Sequence, residues 1–318
     1  MLHVFGVNGQ EWAAVPAEEV SHVLALKRRL QGACGLTRFR QRLLLDGTVL
    51  KDFDLLTSTR HANLQLVLLP VGSPTPKEVR AVTAAATNGL ARPLEKMLHQ
   101  PVDPDLCLTG SGPTPLYLAC RRGSASAVEL LLEAGADRDK VCTDRKWEAG
   151  QTPLGIACWG GYEEVVRLLL RAGAEVDKIC TATIPATPLV VACYHGHTEV
   201  ARLLLEAGAD QNHFCPDNGL RQRRVHCRRQ IHMMRRTDKL SDSTPLAAAS
   251  CNGHLPVVRV LLAFRADANQ CCGGADCRKT PMSIAQSAGH GDVAELLKMA
   301  TDVELQGQRV PTADSRHL

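Results

Sequence analysis

Large rings are the scarcest feature of this sequence: three Trp, three Tyr and five Phe in 318 residues, 3% of the chain. A core that poor in aromatics has to be filled with Leu, Val and Ala, which suits thin helical layers better than a large β-sandwich or barrel. No run of 18 apolar residues occurs, so no membrane-spanning helix is expected. The opening Met1-Leu2-His3-Val4-Phe5-Gly6 has neither a basic stretch nor a long apolar core, so no secretory signal is expected. Catalytic signatures are missing too: there is no G-x-x-x-x-G-K-S/T, no G-x-S-x-G and no H-E-x-x-H. The expectation is a protein that is not an enzyme and needs no cofactor or metal. What is present is a folded, soluble composition, 45% hydrophobic and 22% charged, in a chain long enough for two or three modules. A net charge of +4 is too mild to imply nucleic acid by itself. Thirteen cysteines without a secretory signal are expected to be reduced thiols, which points to the cytoplasm or nucleus.

Internal repetition dominates the rest. Thr-Pro-Leu/Met recurs at Thr114, Thr152, Thr187, Thr244 and Thr280, with spacings of 38, 35, 57 and 36 residues. Nine residues after each Thr stands Gly: Gly123, Gly161, Gly196, Gly253 and Gly289. An apolar run follows, such as Leu130 to Leu132 or Leu203 to Leu205, and then Gly135, Gly173 or Gly208. The physics of one unit follows directly. Thr caps a short helix, Pro at its first turn forfeits no hydrogen bond, and Gly ends it in a left-handed conformation. A second helix carries the Val/Leu face. One such pair cannot bury its own apolar side, and stacking several pairs does.

The stretches TPLYLACRRGSASAVELLLEAGAD, TPLGIACWGGYEEVVRLLLRAGAE and TPLVVACYHGHTEVARLLLEAGAD closely resemble the ankyrin repeat. A degenerate first unit fits Arg80 to Asp105, with Asn88-Gly89 in its turn and Leu94, Met97 and Leu98 on its second helix. The expected fold is therefore an α solenoid of six ankyrin repeats over 78–300, followed by a tail at 301–318. Arg265 and Thr301 replace the glycine that ends the second helix, so strained or differently shaped turns are expected there.

Residues 1–69 share none of this pattern. Early alternation at Leu2 and Val4, a helical pattern at Val20, Val23, Leu26 and Leu30, and apolar strands at Arg42 to Leu45 and Leu64 to Leu69 make a small α+β unit. The order of hairpin, helix, strand, turn and strand resembles the β-grasp fold of ubiquitin. A linker is expected at 70–77. Leu69-Pro70-Val71 runs on into the next domain, so the resemblance implies a built-in, non-conjugated ubiquitin-like domain. It also implies a docking patch on the sheet, at Leu44, Gln65 and Val67, with Gln65 where the family has His. The implied partner is a protein of the ubiquitin system.

In ankyrin stacks, partners dock on the concave face formed by the fingers and the exposed side of the first helices. Seven residues after each Thr this chain has Arg121, Trp159, Tyr194, Cys251 and Ser287; the next column adds Arg122, His195 and Asn252. Trp, Tyr and Arg are hot-spot residue types, so the expected partner face is Arg121, Arg122, Trp159, Tyr194, His195 and Asn252. The alternative is local packing against the neighbouring repeat. Column histidines His197, His254 and His290 are expected to bond within their turns. Cys120, Cys158 and Cys193 are expected to be core side chains. Cys142, Cys180, Cys215 and Cys272 are expected on exposed fingers.

Charge is concentrated in an insertion between Asn212 and Ser243, within the fourth repeat. Arg221, Arg223, Arg224, Arg228, Arg229, Arg235, Arg236 and Lys239 against Asp217, Asp238 and Asp242 give 8 − 3 = +5 there, so the rest of the chain carries −1. This is either a solvated loop or an electrostatic contact for a polyanion such as nucleic acid. Cys215, His226, Cys227 and His232 lie close together there but lack the paired spacing of a strong zinc site. The function expected is protein–protein recognition by a scaffold or adaptor, with a nucleic-acid-associated regulator as the alternative.

Overall fold

The computed structural model describes the chain except residues 57–61, 73, 101, 108–111, 143–150, 180–185, 214–242, 273–278 and 308–318. It divides into two compact units, Met1–Asp137 and Arg138–Leu318. Among the described residues, no helix is long and apolar enough to cross a membrane.

The first unit begins with a five-stranded mixed sheet. Strands β1 (Leu2–Gly6), β2 (Glu11–Val15), β3 (Gln41–Leu45), β4 (Thr48–Val49) and β5 (Asn63–Leu68) stand in the order β2-β1-β5-β3-β4. β1 and β5 are parallel and the other pairs antiparallel, the β-grasp arrangement. Alternation puts Leu2 and Val4 of β1, Leu43 of β3, and Leu64 and Leu66 of β5 on one face. Helix α1 (Val23–Cys34) covers that face with Val23, Leu26 and Leu30, all at most 1% exposed. Gly35, at φ +68°, ends the helix by turning its N–H back to Gln31 O. Asp46 and Gly47 both take positive φ, 49° and 79°, as a two-residue turn between β3 and β4 demands.

Four helices complete this unit: α2 (Pro76–Thr87), α3 (Ala91–Leu98), α4 (Pro115–Arg122) and α5 (Ala125–Glu133). α2 starts inside the segment expected as linker, because Thr75 and Glu78 form a reciprocal capping box ahead of Pro76. Consecutive pairs pack α2 on α4 and α3 on α5. Leu94 and Leu98 of the degenerate first repeat are buried, while Met97 is half-buried.

Among the described residues, the second unit stacks four helix pairs. They are α6 (Pro153–Gly160) with α7 (Glu163–Arg171), α8 (Pro188–His195) with α9 (Thr198–Glu206), α10 (Pro245–Cys251) with α11 (Leu255–Ala263), and α12 (Pro281–Ala288) with α13 (Gly291–Gly307). Each first helix is capped as the motif requires: the Oγ1 atoms of Thr152, Thr187, Thr244 and Thr280 accept the N–H three residues on, at 3.0, 3.4, 3.2 and 3.3 Å. A second ladder joins consecutive repeats beyond the second helices. Asp139 accepts the N–H of Glu175 at 3.0 Å, Asp177 that of Asp210 at 3.2 Å, and Asn212 that of Asp267 at 2.8 Å. The two expected irregular turns differ from each other. Arg265 adopts the left-handed conformation at φ 62°, which strains a residue with a Cβ. At Thr301 no turn forms, and α13 runs on to Gly307 into the segment expected as tail.

Candidate interaction surface

The first helices of the second unit lie between neighbours, so most of their side chains are buried. Leu154, Ile156, Ala157 and Cys158 of α6 are at most 1% exposed, as are Leu189, Val190, Ala192 and Cys193 of α8. The exposed positions, Trp159 of α6 and Gln286 to Ala288 of α12, lie near the C-terminal ends. None of α6, α8, α10 and α12 contains an Asp, Glu, Lys or Arg. The second helices hold the charge, for example the Arg167–Glu164 and Arg202–Glu199 pairs at 3.5 and 3.4 Å.

Trp159 at the end of α6 is 38% exposed. Its ring meets His195 edge-on at 5.7 Å between centroids, and His195 is in turn edge-on to Tyr194 at 5.2 Å and stacked on His197 at 6.0 Å. Burial, helped by repulsion from His197 and His254, pushes the His195 pKa down to about 4, so the ring is neutral near pH 7.

Two of the column histidines, His197 and His254, bridge repeats with their rings instead of bonding within their turns. His197 Nε2 donates to Trp159 O at 3.2 Å, and His254 Nε2 donates to Tyr194 O at 3.0 Å. The rings lie over the turn glycines of the preceding repeat: a Cβ on Gly161 would sit 2.6 Å from His197, and one on Gly196 2.6 Å from His254. Glycine is therefore required there twice, for its positive φ and for the space above it.

The expected partner-face residues separate into groups. Trp159 and His195 are together at the surface of the second unit. Tyr194 is a correction: it is only 7% exposed, with its ring turned into the stack, so it offers no exposed ring to a partner. Its carbonyl also accepts Asn252 Nδ2 at 3.0 Å, so half-buried Asn252 ties two repeats together. Arg121 and Arg122 are exposed at the end of α4, in the first unit. On the β-grasp sheet, Leu44 stands opposite Gln65 and Arg42 opposite Val67. All four share the outer face, with Gln65 and Arg42 exposed and Leu44 and Val67 half-buried. Phe5, beside Gln65 across the parallel pair, belongs to this face, as its alternation against Leu2 and Val4 requires.

The finger cysteines are a second correction. Cys142 and Cys272 are 1% and 3% exposed. Cys272 forms a bridge with Lys279 and places its sulfur 3.4 Å from Thr244 Oγ1, so the thiol points inward under the finger onto the helix cap. Cys180 and Cys215 lie outside the described residues, as do Arg221, Arg223, Arg224, Arg228, Arg229, Arg235 and Arg236 of the basic insertion and the neighbouring Cys/His set. Cys120, Cys158 and Cys193 are fully buried core residues, and burial pushes the thiols of Cys120 and Cys193 far up.

A family model described as ankyrin repeats (3 copies) matches residues 82–180 and 225–306, and one described as ankyrin repeat matches 186–216. No curated protein matches the chain. The matched module is one of protein–protein interaction, and the matches cover more than half of the sequence. Capped helix pairs, turn glycines and cross-repeat ladders thus have one source: this chain belongs to the ankyrin-repeat family.

Proposed function

We propose that this chain is a non-catalytic adaptor that docks a partner segment on the first helices of its second unit, with Trp159 as anchor. The observation that carries the proposal is one exposed Trp beside a neutral histidine, on helices without a formal charge. A charged partner group buried there would find no counter-charge, which is costly. The segment that fits is therefore uncharged with an apolar or aromatic anchor, and its binding should respond little to salt. Peptide selection against the full-length protein tests this. Selected sequences should be uncharged at their anchor, and Trp159→Ala should weaken them by about 2 kcal/mol or more. Unchanged affinity with unchanged circular dichroism would reject the assignment.

The β-grasp sheet face at Leu44, Gln65 and Val67 is the proposed second docking surface, linking the partner to a protein of the ubiquitin system; this is analogy of fold. Thirteen cysteines read as thiols support a cytoplasmic or nuclear setting. A second reading rests on the charge of +5 between Asn212 and Ser243. It has the insertion hold a polyanion, and such binding would fall steeply with ionic strength, unlike docking at Trp159.

A further inference from the structure

Arg38 sits on a short 3-10 turn of the β-grasp domain, Arg38–Arg40, and is 2% exposed. Its three nitrogens face three carboxylates from three separate parts of the first unit. Nη1 donates to Asp52 Oδ2 at 2.6 Å, within the domain itself. Nη2 donates to Glu95 Oε1 at 3.0 Å, on α3 of the first repeat. Nε lies 2.9 Å from Glu133 Oε1, on α5 of the second repeat, as an ion pair without hydrogen-bond alignment. Phe39 puts its ring 4.0 Å beneath the guanidinium.

The surroundings complete the balance. Lys27 Nζ, 5% exposed, donates to the other oxygen of Asp52 at 2.7 Å, and Arg28 Nε donates to Glu133 Oε1 at 2.9 Å. Three cations, Lys27, Arg28 and Arg38, thus meet three carboxylates, Asp52, Glu95 and Glu133. His99, which caps α3, approaches Asp52 Oδ2 at 3.6 Å and sets its ring edge-on to Phe39.

Two features at the end of α5 meet this contact. Helix α5 ends on Glu133 with no basic residue in its last turn. A carboxylate at a helix C-terminus is unfavourable alone, and cations are wanted there; Arg28 and Arg38 supply them from the β-grasp side. Gly135, just past α5, has Thr37 Cγ2 3.2 Å from where a Cβ would stand, so the domain closes against the end of this helix.

We infer that the β-grasp domain is clamped across the first two repeats through Arg38, as a fixed part of the repeat array instead of a tethered tag. On its helix side α3 and α5 take up the charges of Arg28 and Arg38, while Arg29, Gln31, Gly32 and Ala33 of α1 stay exposed. The sheet face with Phe5, Arg42, Leu44, Gln65 and Val67 takes no part in the clamp. A guanidinium suits the clamp because its rigid fork aims separate nitrogens at Asp52 and Glu95 while its charge also faces Glu133, whereas an ammonium is a compact point charge on a flexible stem. Burial alone would lower the affinity of Arg38 for its proton, but Glu133, Glu95 and Asp52 outweigh it, so the clamp stays charged.

Cutting the full-length folded protein tests the inference. A protease site inserted between Val71 and Gly72 would be cleaved and the pieces passed over a sizing column at micromolar concentration. The two pieces should elute together, and their separation would overturn the clamp. Arg38→Met should weaken their association at least about a hundredfold, since Glu95 loses its cation and Asp52 and Glu133 keep only Lys27 and Arg28. Arg38→Lys, which keeps the charge and loses the fork, should fall between. Should Arg38→Met fail to fold, Glu133→Gln reads the same contact from the repeat side, with a loss of about tenfold. Pieces that stay together equally well in Arg38→Lys and Glu133→Gln would show that Arg38 is not the clamp.

Discussion

In residues 1–137, three cations and three carboxylates converge from the β-grasp domain and from both of its neighbouring repeats. In residues 138–318 the four first helices carry no formal charge, and helix packing runs from each repeat to the next. The first arrangement couples its members, because losing a partner of Lys27, Arg38 or Asp52 leaves a buried charge short of compensation in a low dielectric. The second is a sum of similar interfaces, and a local fault stays local in cost. One chain thus joins a region of coupled charges to a region of repeated, separable interfaces.

The sharpest way to break this contrast is Asp52→Ala. It strands the nearly fully buried Lys27 and takes one of three carboxylates from Arg38, and should destabilise the first unit by about 3–5 kcal/mol. Hydrogen exchange on the full chain should speed up over α1 and α3 together, while α9 and α11 keep their protection. Burial would raise the Asp52 pKa, but Lys27, then His99 and Arg38, outweigh it and hold the carboxyl below its ordinary value. A depressed carboxylate pKa contributes stability above the unfolded value that is lost as pH falls through the folded one. The cluster should therefore persist through mildly acid pH.

A pair of glycines sharpens the other side. Gly196→Val forces a branched side chain into φ 78° and into the His254 ring, with an expected loss of about 3 kcal/mol. Gly208→Ala has φ 91° but nothing within 4 Å of the new Cβ, so it should lose about 1 kcal/mol. Urea midpoints of the two variants measure the difference. Equal losses would mean that the histidine overhead does not restrict the turn.

The smallest effect expected is a pH slope. His195 has its folded pKa, about 4, below the ordinary histidine value, so the unfolded chain takes up its proton first. Stability of the second unit should be full near neutral pH and decline as pH falls from about 6.5. His195→Gln should flatten that decline without changing the exchange of α1. A variant that titrates like the parent would place the slope on His254, whose pKa is also lowered by burial.

Much of this was legible beforehand because ankyrin stacking is periodic. Thr114 to Thr280, the turn glycines and the Leu runs recur in register, and each recurrence states its own reason: a cap, a left-handed turn, a buried stripe. Period-two alternation similarly marked Leu2 and Val4 as one face of β1, and both are buried. Tyr194 escaped that logic. It shares a column with exposed Trp159, yet its ring turns into the stack while His254 and Asn252 of the next repeat bond to its carbonyl. Cys142 and Cys272 escaped it too, since the path of a finger decides which way a thiol points. Composition, repetition and local pattern thus determined the repeat family, the helix ends and the concentration of positive charge between Asn212 and Ser243. Only the tertiary structure decided that Arg38, Asp52, Glu95 and Glu133 meet, because no period relates those positions and a charge is buried only where distant segments supply its partners.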